Sequence, residues 1–152
     1  MNEQVISIET AKILKSKGFN LAVKGSYTEY LVDKIDPEYP DGSGPFSMKK
    51  GEIELDTSWY FKNNDNVADY SNDNYIMYAA PTQGLLQQWL REVHRIYVSP
   101  RESWSFDDTL EFVCTVNGTF VNHNIVTEPI NRFKTYEDAL EAGLKLGLTL
   151  IK

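Results

Sequence analysis

A helix that carries glycine at two interior positions, one turn apart, must recover in packing what it loses in propensity. Residues Thr135–Leu150 read as such a helix. Thr135 with Asp138 three residues later forms a capping-box variant, and Ala139, Gly143 and Gly147, spaced by four, line one ridge flanked by Leu140, Leu144 and Leu148. The two glycines cost roughly 2 kcal/mol of helix propensity relative to alanine. A ridge without side chains compensates when a second backbone packs close against it. The spacing therefore predicts a terminal helix lying at short range on a sheet or another helix.

Two further helices are legible. Ser7 can cap a helix over Ser7–Lys17 that Gly18 ends in a left-handed conformation, with Ile8, Ala11 and Leu14 on its inner stripe. Thr82 caps the second, in which Leu85, Leu86, Trp89, Leu90 and Val93 form a broad apolar face opposite Gln87, Gln88, Arg91, Glu92 and Arg95. Strands are expected at Leu21–Val23, Tyr27–Val32, Glu52–Phe61 and Tyr75–Ala80. Ile96–Val98 reads as a strand stopped by Ser99–Pro100, and the alternating Leu110–Val116 turns back at Asn117–Gly118. The segment 36–45, with three prolines and two glycines, and the Asn- and Asp-rich 63–74 read as loops. Strands and helices do not alternate regularly, so the expected fold is α+β: residues 1–152 as one domain, with three helices packed on a mostly antiparallel sheet.

Charge narrows the function classes. Of a formal net charge of −7, residues 28–73 alone hold eleven acids against four lysines. That block repels phosphate backbones, which argues against nucleic-acid binding. The one mildly basic aromatic stretch, Arg91, Arg95 and Arg101 near Trp89 and Trp104, is interrupted by Glu92 and Glu102. The longest apolar run, residues 75–80, is far short of the roughly 20 residues of a membrane helix. A single cysteine and no secretory signature at Met1–Thr10 lead to the expectation of a reducing, cytoplasmic setting.

Motifs for chemistry are sparse. Cys114 with His94 or His123 is the sole thiol and imidazole set, and Cys114 falls on the apolar side of its strand, where cysteine behaves as a small core residue. Two histidines without ligand spacing make no zinc motif. Asp65, Asp69 and Asp73 lack the acid spacing, glycine and terminal glutamate of a calcium loop, so no metal or other cofactor is expected. Gly42–Pro45 lacks the lysine of a phosphate-binding loop. No catalytic residue is assigned. A binding surface is expected in the acidic middle third, from Trp59, Tyr60 and Tyr70 ringed by Asp56, Asp65 and Asp69. The same residues, with Phe61, Tyr75 and Trp104, offer the alternative of a carboxylate-based hydrolase with a sugar cleft.

Pro81–His94, read as PTQ-x-LLQ-x-WLRE-x-H, and Thr135–Leu144, read as a YEEAL-x-x-G-like helix, together resemble small uncharacterised proteins of Bacteroidetes-type gut bacteria and their phages and prophages. The match spans 24 of the 152 residues and implies provenance rather than chemistry. The expectation is a non-enzymatic module of phage or mobile-element origin that binds a protein partner.

Overall fold

The computed structural model describes residues 4–33, 35, 37–44, 47–61, 75–117, 119–120 and 132–152. The elements run α1 (Ile8–Ser16), β1 (Val23–Tyr30), β2 (Ile53–Phe61), β3 (Tyr75–Ala79), α2 (Gln83–His94), β4 (Val98–Trp104), β5 (Leu110–Val116), β6 (Thr119–Phe120) and α3 (Tyr136–Thr149). The fold is α+β, and among the described residues it has three helices and antiparallel pairing throughout two sheets, ordered β2-β1-β3 and β4-β5-β6. The chain divides into two compact units: Met1–Lys17 with Pro81–Lys152, and Gly18–Ala80.

In the first unit all three predicted caps form. The side chains of Ser7, Thr82 and Thr135 accept from the backbone N–H groups of Thr10, Leu85 and Asp138. Residues 4–6 run beside 81–83, with Ile6 N–H donating to Pro81 O at 3.0 Å and Gln83 N–H to Gln4 O at 2.8 Å, so α1 and α2 start side by side. Glu141 of α3 ties these starts together. Its Oε1 accepts from Ser7 N–H at 2.9 Å and from the Thr10 hydroxyl, while Oε2 accepts from Gln83 Nε2 at 3.0 Å. A carboxylate beside two helix N-termini is favoured by their dipoles, and Thr10 and Gln83 are buried polar side chains satisfied by it.

The glycine ridge lies where its spacing predicts. Ala139, Gly143 and Gly147 are buried, and α3 packs on β4 and β5. A Cβ built on Gly143 would overlap Cys114 Sγ and lie 2.7 Å from Val98 Cγ1. One on Gly147 would meet Leu90 Cδ1, Ile96 Cγ2 and Val98 Cγ2 at 3.2–3.4 Å. Backbone and side chains thus interlock at distances that exclude any side chain at 143.

Two local expectations are corrected. Val93 is 60% exposed, because Leu86, Trp89 and Leu90 already fill the buried stripe and Val93 falls outside it. Ser99–Pro100 does not stop β4, which continues to Trp104. Asn117 N–H donates to Tyr97 O at 2.8 Å, and the alternation of antiparallel pairing then turns Ser99 and Arg101 toward β5 and Pro100 toward the open side. A proline there removes no ladder bond.

In the second unit β1 is the central strand, and the two predicted pieces of it are one. Gly25 makes this continuity workable. The pairing slips between Lys24↔Tyr60 and Ser26↔Asp56, so β2 bulges over residues 57–59 opposite Gly25. Gly25 has φ +133°, and a Cβ there would lie 3.3 Å from Asp56 O. On β3, Met77, Tyr78 and Ala79 are buried, and the Tyr78 hydroxyl donates to Glu29 Oε2 at 2.9 Å.

Gly143→Leu should lower the midpoint of chemical denaturation by the equivalent of about 1–3 kcal/mol despite better helix propensity, with Gly147→Ala milder. An unchanged Gly143→Leu midpoint would contradict the close contact. Glu141→Ala removes the carboxylate that Thr10 and Gln83 share but leaves the Thr10 hydroxyl with Ser7 Oγ and Gln83 Nε2 with Glu137 O, so it should cost about 1 kcal/mol in the same measurement.

Candidate functional site

The residues expected to bind a partner fall on or after β2. Tyr70, Asp65 and Asp69 lie outside the described residues, as does His123, and Trp59 is described for its backbone alone. Tyr60 is 70% exposed. Asp56 is exposed as well, but its Oδ1 accepts from both Ser58 N–H at 2.7 Å and Ser58 Oγ at 2.6 Å. That carboxylate shapes the bulge, a role its position in sequence does not reveal.

β2 is an edge strand nine residues long, and its described side chains are exposed on both faces. Tyr30 N–H donates to Glu52 O at 3.1 Å, which sets the hydrogen-bonded pairs as Thr28/Glu54 and Ser26/Asp56. Ile53 and Leu55 consequently turn their N–H and C=O groups away from β1. Among the described residues no strand pairs with that side. The side chains of Ile53 and Leu55 are exposed too, Leu55 by 44%. Glu52, Glu54 and Asp56 place three carboxylates along this stretch.

The edge of β4 is different. Pro100 offers no N–H to it, and the Val98 carbonyl accepts from Gln87 Nε2 of α2 at 2.7 Å. This edge is blunted by the chain itself.

Sequence reasoning missed the tip of the β4–β5 hairpin. Trp104 is 65% exposed, Phe106 is fully exposed, and Leu110, the cross-strand partner of Trp104, is exposed beside them. The connecting turn is held by Ser105 N–H to Thr109 O at 3.0 Å and Thr109 N–H to Ser105 Oγ at 3.2 Å, with Asp108 at φ +57°. The Ser105 hydroxyl also donates to Asp107 and holds that carboxyl below its ordinary range. The missed signal was a Ser-Phe-Asp-Asp turn, where a phenylalanine has no core to reach.

Nucleophilic chemistry finds no support in the environment of the thiol. Cys114 is 1% exposed beneath Gly143, its Sγ directed to Thr115 O at 3.7 Å, and burial pushes its pKa up to about 11. His94 stacks edge-on against Trp89 with ring centroids 4.4 Å apart, and its Nε2 is buried without a hydrogen-bond partner among the described residues. Among the described residues, no group of three or more His, Cys, Asp and Glu side chains is placed to hold a metal ion. No helix of the described residues is long and apolar enough to cross a membrane.

Comparisons of the chain with protein-family models, curated proteins and solved structures return no match.

Thiol reagents at neutral pH should label Cys114 slowly in the native protein and rapidly in denaturant. Because folding raises this pKa, the thiol's contribution to stability is complete below its ordinary value of 9.0 and is lost as pH rises toward about 11. Tyr78, pushed up to about 12 by burial and by Glu29, extends the same loss above pH 10. Denaturation midpoints measured from pH 8 to 11 should fall less steeply in Cys114→Ala than in the parent chain.

Proposed function

We propose that this chain is a non-enzymatic protein-interaction module that takes an extended, basic segment of a protein partner along the outer edge of β2. The observation that carries the reading is the pair of outward N–H and C=O groups at Ile53 and at Leu55 on an edge left open among the described residues. Main-chain pairing at such an edge supplies affinity, and alternate side-chain contacts supply specificity. Exposed Tyr60 offers an aromatic anchor at one end. The carboxylates of Glu52, Glu54 and Asp56, within the acidic block of the chain, favour a cationic segment and disfavour nucleic acid.

The resemblance of Pro81–His94 and Thr135–Leu144 supports a phage or mobile-element origin. The lone, buried cysteine is compatible with the reducing bacterial cytoplasm. A carboxylate-based hydrolase is the weaker reading. Asp56, the described member of its acid set, has one oxygen committed to two hydrogen bonds within the bulge.

Leu55→Pro tests the edge directly. It removes an N–H that points away from β1 and leaves the β1 ladder intact. In captures from host lysate read by quantitative mass spectrometry, proteins bound by the parent chain should fall at least about tenfold with Leu55→Pro, fall with Tyr60→Ala, and decline as salt rises. Capture that survives Leu55→Pro in a protein with unchanged circular dichroism would overturn the reading, as would a parent chain that captures nothing.

A further inference from the structure

The first unit holds a half-open cavity of about 300 Å3 beside the blunted edge of β4, at the small end of the range that accepts organic ligands. Pro100 forms its apolar side, next to the strand at Val98. Gln87 and Arg91, one turn apart on α2, form its helical wall, and Tyr97 and Tyr136 line the remainder. Gln87 is already committed to Val98 O, the bond that holds α2 against the strand. The other polar groups are not so engaged. Tyr97 and Tyr136 are about half exposed, and their hydroxyls make no hydrogen bond to protein among the described residues. The ion pair of the Arg91 guanidinium is a 3.9 Å contact with its exposed neighbour Glu92. A cavity with an apolar side and uncommitted donors lining it is the chemistry of a ligand site rather than of a packing defect.

We propose that this cavity binds a small monovalent carboxylate with an apolar or aromatic body. The guanidinium fork of Arg91 matches the two oxygens of a carboxylate, and the tyrosine hydroxyls add neutral donors. Pro100 and the two tyrosine rings receive the body. One cation in the lining matches one negative charge. A phosphate dianion would bring a surplus charge to a chain already at −7. The carboxylate belongs either to a free organic acid or to the C-terminal residue of a polypeptide. The site is separate from the β2 edge in sequence and chemistry, so either proposal can fail without the other.

Titration of the isotopically labelled full chain with N-acetylphenylalanine, followed by NMR, tests it. Saturable shifts should appear at Tyr97, Tyr136 and Arg91. Affinity should fall at least about tenfold for the corresponding amide, and by a similar factor in Arg91→Gln, since both changes remove one charge-assisted pairing. Should Arg91→Gln misfold by circular dichroism, the double variant Tyr97→Phe and Tyr136→Phe removes two donors instead and should weaken binding. A tetrapeptide ending in phenylalanine that binds more tightly than N-acetylphenylalanine assigns the carboxylate to a polypeptide terminus, and weaker binding assigns it to a free acid. The absence of saturable shifts, equal binding of the amide, or tighter binding of phenyl phosphate would overturn the proposal.

Discussion

The contact between α3 and the β4–β5 hairpin holds the first unit together, and its distance is set by two missing side chains. Gly143 lies where any Cβ would meet Cys114 and Val98, and Gly147 lies against Leu90, Ile96 and Val98. The helix gives up roughly 2 kcal/mol of propensity for this approach, and the burial of Leu140, Leu144 and Leu148 alongside offsets it. The other features of the unit follow from that distance. Cys114 is sealed under Gly143 and its thiol kept neutral, and Glu141, two residues earlier on α3, reaches the starts of both α1 and α2.

Two of the edge strands, β2 and β4, are treated in opposite ways. β4 carries a proline at an outward position and has its first carbonyl covered by Gln87, so further strand pairing is blocked there. β2 has neither device among the described residues, and its protection against indiscriminate pairing is charge, from Glu52, Glu54 and Asp56. Charge of one sign blocks acidic or identical edges while admitting a basic one. Blunting at β4 also leaves a cavity in place of a pairing groove, because the groups that would have met another strand are replaced by Pro100 and the side chains of Gln87 and Arg91.

Local signals in the sequence determined the helices and most of the strands. Ser7, Thr82 and Thr135 cap where their side chains can reach free N–H groups, Gly18 takes its left-handed conformation at φ +76°, and Leu110–Val116 is a strand to the residue. These features depend on neighbours within a few positions, which a single sequence contains. The small-residue ridge was equally readable, because a cost in propensity that nothing local repays points to a tertiary contact.

Only the tertiary structure decided which strands lie at edges, and the functional surface depends on that. Pro100 looked like a stop because its missing N–H matters only if a partner strand needs it, and partner identity is not a local property. Val93 looked buried by periodicity, but the width of the stripe α2 buries is set by what it packs on. Asp56 looked like a free acid and is part of a bulge that exists because β1 and β2 slip by two residues at Gly25. Arg91, Tyr97 and Tyr136 drew no notice as a group, since α2, the start of β4 and the start of α3 meet at one cavity only when α3 has closed onto the hairpin. Composition and short-range spacing determined the parts. Long-range pairing, which no local pattern encodes, decided which of their polar groups remained unmatched.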